Sequence, residues 1–158
     1  MRKEDRHACI LLARAPGSTF ATVHGFLPVA DRDRILALEA LFRSLRDIPM
    51  TVSDPSVGIA KIAWWQQELR SAPKEGTQHP VARALLDTGA LEQLDPGGFS
   101  DYLHGLVEEL QEAPIPDVKA LADRLDRTAG QEAHLLAGDP DVAATSLRVA
   151  GIAARLLD

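Results

Sequence analysis

The sequence predicts an all-α protein. Apolar residues recur at three- and four-residue steps, alanine and leucine dominate the apolar set, and Asp-Pro pairs and glycines punctuate the chain at helix-length intervals. A length of 158 residues is that of a single domain over 1–158, which buries roughly 70% of the unfolded chain's surface. Apolar residues make up 46% of the chain and charged residues 25%, with four phenylalanines, two tryptophans and one tyrosine, a mixture that fits helices packed through aliphatic faces. The net charge of -6 argues against the broad basic footprint of a nucleic-acid binder, though a local basic pocket stays compatible with it. The single cysteine, Cys9, forms no internal disulfide and no zinc pattern, so a reducing, cytoplasmic setting is expected. In MRKEDRHACILLARA the apolar run of about five residues is too short for a signal-peptide core or a membrane span.

Each element follows from local signals. The opening segment breaks at Pro16-Gly17. From Asp31, the residues Ile35, Leu38, Leu41, Phe42, Leu45 and Ile48 form a nearly unbroken stripe on one helical face. Asp54-Pro55 gives an N-cap acid and a proline at the first helical position, after which Ile59, Ile62, Trp65 and Leu69 continue an apolar face and Gly76 closes it. A short helix from about Pro80 to Asp87 ends near Gly89, a residue suited to a left-handed cap. Asp95-Pro96 repeats the start signal ahead of Phe99, Leu103, Leu106 and Leu110, and Pro114 and Pro116 stop that helix. Asp117 opens a segment through Val118, Leu121, Leu125, Ala129 and Leu136, with Gly138 as its stop. Asp139-Pro140 opens the last helix, DVAATSLRVAGIAARLLD, which runs to Asp158 with no loop composition behind it. An ordinary terminal helix and a chain cut inside a longer fold both fit that ending.

The order of these pieces resembles the squalene/phytoene synthase family. FLPVADRDRILALEALFRSLRDI at 26–48 is similar to the family's opening helices, in which a leucine-proline pair, an arginine and an alanine-leucine helix lead into an aspartate-rich motif. Ile62-Ala63-Trp64-Trp65-Gln66-Gln67-Glu68-Leu69 resembles its "LxxWxxEL" helix, and His79-Pro80-Val81 through Ala84-Leu85 its "HPVxxAL" segment. Phe99 through Leu103, Gly105 and Glu109-Leu110 look like its helix ending in an acid-leucine pair. Thr128-Ala129-Gly130 and Gly151-Ile152-Ala153-Ala154-Arg155-Leu156 resemble its "VAG" and "GxAxQL" runs. The likeness covers about residues 18–157 and corresponds to roughly the first half to two-thirds of the family's fold. It implies an all-α helical bundle resembling the N-terminal part of the isoprenoid synthase fold.

The resemblance also implies a chemistry. Catalysing members join two prenyl diphosphates head to head, and magnesium ions held by carboxylates neutralise the charge that builds on the departing diphosphate. The family's first acid set, with the first and last acids four residues apart on one face, falls here on Arg46, Asp47 and Met50. A cation and a thioether stand at the two positions that share a face, and magnesium binds neither. Asp47 remains as a lone carboxylate, the metal ligand and catalytic group of an active reading. The second acid set would lie just past Leu156, where Asp158 remains, and Arg155 replaces a family glutamine. Read without the family, Glu39, Arg43 and Asp47 form an i, i+4, i+8 surface ion-pair ladder worth a few tenths of a kcal/mol per pair.

Substrate contacts implied by the resemblance are Ser18 and Phe20, the serine-phenylalanine approach to the diphosphate, with Arg43 and Arg46 as cations able to hold a diphosphate without metal. Ser18 and Thr19 after Pro16-Gly17 also read as a helix cap. His104 and Glu108 lie at i, i+4 but do not make the two-histidine zinc pattern and read as a solvated pair. Asp123 and Asp126, interleaved with Arg124 and Arg127, read as ion-paired. Trp64 and Trp65 cannot face one side of a helix together, so one is expected in the core and the other partly exposed.

Two functions of different class follow. The first is a catalytically degenerate member that binds an isoprenoid-type lipid or a protein partner, needing no cofactor. The resemblance implies this role because some relatives that have lost their acids are similar to assembly factors for the respiratory NADH dehydrogenase. The second is an active prenyltransferase of the squalene or phytoene synthase type, using Mg2+ and isoprenoid diphosphates, with its missing acids supplied from elsewhere. A helical interaction domain without ligand is a blander third. Neither nucleic acid nor a transmembrane segment belongs to any of them. A peripheral membrane location and a homodimer covering spare apolar faces are compatible with the first.

Overall fold

The computed structural model describes residues 1–14, 19–111 and 114–137. The expectations about Ser18, about the helix after Asp139-Pro140 and about Arg155 and Asp158 lie outside these residues. Among the described residues every regular element is helical and no strand occurs. The chain divides into two compact units, Met1–Met50 with Ala60–Gln93, and Thr51–Ile59 with Leu94–Asp158. No described helix is long and apolar enough to cross a membrane.

The first unit opens with α1 (Lys3–Ala13), followed by α2 (Thr19–Val23) and a 3-10 turn at His24–Phe26. Arg32 ties this turn down, donating from Nε to the Leu27 carbonyl at 2.9 Å and from Nη2 to the Gly25 carbonyl at 2.8 Å. The Leu27-Pro28 pair is thereby fixed at the entry to α3 (Arg32–Thr51). The predicted stripe is buried at Leu38, Leu41, Phe42, Leu45 and Ile48. Burial goes further than the stripe: every residue from Leu36 to Phe42 is buried, so the middle of α3 is enclosed nearly all round. Pro49 lies within the last turn of the helix, where it lacks the N–H that would donate to the Leu45 carbonyl.

Helix α4 (Pro55–Glu75) starts where the sequence signal places it. Asp54 Oδ1 accepts from the Ser56 amide at 2.8 Å and the Ser56 hydroxyl at 2.7 Å, and those bonds hold its carboxyl below the usual aspartate range. Ile62, Trp65, Leu69 and Ala72 form its buried edge. Gly76, at φ 74°, caps it with an N–H to the Ala72 carbonyl, and Gly89, at φ 69°, follows α5 (Pro80–Asp87). Both are left-handed positions that a side chain would strain. A one-turn helix, α6 (Ala90–Gln93), follows. Helix α5 packs on α1, with Cys9, Val81, Ala82, Ala84 and Leu85 fully enclosed.

In the second unit, α7 (Pro96–Leu110) is capped by Asp95, whose Oδ2 accepts from the Gly98 amide at 2.7 Å. Asp117 caps α8 (Val118–Leu125) the same way, through the Ala120 amide at 2.8 Å. The single segment predicted from Asp117 to Leu136 proves to be α8, a π turn at Asp126–Gly130 and α9 (Gln131–Ala137). This corrects the predicted core face. A π turn carries one extra residue and rotates everything after it, so Thr128, Gln131, Glu132 and Leu135 are buried where the regular period pointed to Ala129 and Leu136. Helix α8 buries none of its residues, and Val118 and Leu121 face solvent.

Candidate ligand site on the third helix

From its middle to its last turns, α3 carries four charged side chains joined in two ion pairs. Arg43 Nε lies 3.1 Å from Asp47 Oδ1 and 3.2 Å from Oδ2, and the two side chains are 36% and 39% exposed. Arg46 Nη2 donates to Glu39 Oε1 at 3.1 Å, with exposures of 21% and 9%. The expected Glu39–Arg43–Asp47 ladder is therefore half right. Arg43 bonds forward to Asp47, whereas Glu39 takes its cation from two turns ahead. Burial explains the choice: Glu39 belongs to the enclosed stretch of α3, where a carboxylate needs a close partner. Desolvation pushes its carboxyl above the ordinary glutamate range, and Arg46 works against that shift.

Arg46, Asp47 and Met50 stand where the family resemblance puts the first acid set. Arg46 is committed to Glu39, Asp47 to Arg43, and Met50 is 75% exposed. The turn presents one carboxylate, one guanidinium and one thioether. This donor set does not fit magnesium, which needs several oxygen ligands in near-octahedral array. Among the described residues, no three His, Cys, Asp or Glu side chains gather closely enough to hold a metal ion. The two arginines instead suit a phosphate group, since guanidinium N–H forks match its oxygens.

The other predicted positions resolve individually. Phe20 packs against His24, ring centroids 5.1 Å apart, in the turn ahead of α3. Of the two tryptophans, Trp65 is buried and Trp64 is 47% exposed, as the helical period requires. They meet edge to face at 5.2 Å, and Trp65 meets His79 at 4.6 Å. The Glu68 carboxylate accepts from the Thr77 hydroxyl, whose oxygen accepts in turn from the His79 amide at 3.0 Å. Burial holds the His79 imidazole below its ordinary value, opposed by the charge of Glu68. His104 lies 3.7 Å from Glu108 and is largely solvated, and Glu108 also accepts from Arg127 at 2.7 Å. Asp123 pairs with Lys119 at 2.9 Å, one turn back, while Arg127 takes Glu108. Cys9 is fully buried, and burial raises its thiol to about 11, the environment of an inert core residue.

The buried partner role of Glu39 was not legible as such. Its signal is the seven-residue spacing to Arg46, which places both near one face two turns apart.

Comparison with known proteins gives one family. The squalene/phytoene synthase family matches residues 13–139. No curated protein and no solved structure matches the chain.

Proposed function

The chain belongs to the squalene/phytoene synthase family, and on that premise we propose that it is a catalytically degenerate member that holds an isoprenoid-type lipid instead of condensing two prenyl diphosphates. The observation that carries this reading is the pairing of Asp47 with Arg43 and of Arg46 with Glu39, at the turn where the family's chemistry calls for free carboxylates. Magnesium would neutralise charge on a departing diphosphate; this turn offers it a single carboxylate already bound to a cation. What the turn offers a ligand is two guanidinium forks, with Arg43 and Arg46 binding and orienting a phosphate end without metal.

A protein partner is a second reading, favoured by exposed apolar side chains in the first unit. Phe26 is 87% exposed and Val29 78%, both beside the turn that enters α3, and Trp64 is half-exposed on α4. Aromatic side chains of this kind are enriched at recognition surfaces.

The test is incubation with farnesyl or geranylgeranyl diphosphate and magnesium while pyrophosphate release is followed. No release is expected. Turnover that disappears in Asp47→Asn would overturn the degenerate reading. Calorimetric titration should show prenyl diphosphate binding that a chelator leaves unchanged and Arg46→Ala weakens.

A further inference from the structure

The two ion pairs on α3 differ in how readily they can be exchanged. Arg43 and Asp47 are both more than a third exposed, so either can trade its partner for water at little cost. Glu39 has no such freedom. With its side chain 9% exposed, release of Arg46 would strand a buried anion, a far more expensive state than the pair. These two pairs set two guanidiniums against two carboxylates, and in them Asp47 occupies the Arg43 fork that an incoming phosphate would take.

Resting on the metal-free reading above, we propose that Asp47 is an internal counter-ion that competes with the ligand's phosphate for Arg43, while Glu39 fixes Arg46 in place. The residue that looks like a remnant metal ligand thus opposes anion binding. On ligand entry the Asp47 carboxylate leaves Arg43 and turns to water, the guanidinium fork takes phosphate oxygens in its stead, and no buried charge is left unpaired. A metal ligand at the same position has the opposite sign of effect, because its removal costs affinity. Sign, rather than size, separates the two roles.

The experiment is calorimetric titration with inorganic pyrophosphate and with farnesyl diphosphate, in chelator, on wild type, Asp47→Asn, Arg43→Ala and the double variant. Asp47→Asn should tighten binding by about two- to fivefold, the range open to an exposed pair. That gain should vanish when Arg43 is also alanine, which distinguishes competition for one guanidinium from a general gain of positive charge. If wild type binds and Asp47→Asn binds equally or more weakly, or if the gain survives in the double variant, the competition is overturned while the metal-free lipid reading stands. If neither probe binds wild type without metal, the reading itself falls and takes the competition with it. Circular dichroism of Asp47→Asn matching wild type shows that the fold is intact; Asp47 lies outside the core, so the isosteric amide should leave it so.

Discussion

Arg46 reaches two turns back along its own helix to bind the carboxylate of Glu39, a residue that is 7% exposed. Because burial raises the folded-state value of Glu39 above the ordinary glutamate range, the folded protein holds that proton more tightly than the unfolded chain does. The group's contribution to stability is therefore full in acid, below the unfolded value, and is lost as pH rises through the folded one. Glu39→Gln should remove this slope. Urea denaturation at about pH 5 and about pH 8 would show the difference between variant and wild type changing with pH in that direction, and equal differences at both would refute it.

Asp5 obeys the opposite sign. Arg83, 78 residues further on, donates to it from Nε at 3.1 Å to each oxygen and from Nη2 at 2.6 Å, tying α5 to α1. The hydrogen bonds from Arg83 hold the Asp5 carboxyl below the usual range. Its stabilisation is present above the ordinary aspartate value and is lost as pH falls through the depressed folded one. Asp5→Asn should lower the melting temperature at neutral pH, with the gap to wild type closing as the solution is acidified. Arg83→Lys should rescue little, since a point charge cannot reproduce the planar fork.

The two adjacent tryptophans should respond very differently to truncation. Trp65 is 6% exposed and packs against His79, so Trp65→Ala should cost about 3–5 kcal/mol, as for other buried aromatics. Trp64 is 47% exposed, and Trp64→Ala should cost on the order of 1 kcal/mol. Denaturant titrations of the two variants would decide it; comparable losses would mean that Trp64 carries packing its exposure does not suggest.

Gly105 allows α7 to approach the π turn. A Cβ there would lie 2.9 Å from Thr128 Cγ2 and 3.4 Å from the Arg127 carbonyl carbon, one of them backbone that cannot swing aside. Gly105→Ala should destabilise by about 1–3 kcal/mol through overpacking, and Thr128→Ser on that background, by removing the opposing methyl, should recover part of the loss in a thermal melt.

Much of this was written in the sequence because it is local. An aspartate just ahead of an apolar-periodic run supplies a carboxylate to the first free amides of the next helix, and the caps at Asp54, Asp95 and Asp117 all formed. Likewise a stripe such as Leu38, Leu41 and Phe42 needs only the helical period to predict its buried face. The π turn was illegible for a complementary reason. Nothing in Asp-Arg-Thr-Ala-Gly breaks the period, and the inserted residue is stabilised by how this stretch packs on α7.

The charged turn of α3 divides along the same line. Residue identity is fixed before folding, so the sequence itself sets an arginine, an aspartate and a methionine at the positions to which the family resemblance assigns acids. Which arginine each carboxylate would choose depended on burial, and burial is a property of the packed chain. Glu39 was drawn into an enclosed stretch of helix, where desolvation makes a close guanidinium worth far more than at the surface, and Arg43 was left to the exposed Asp47.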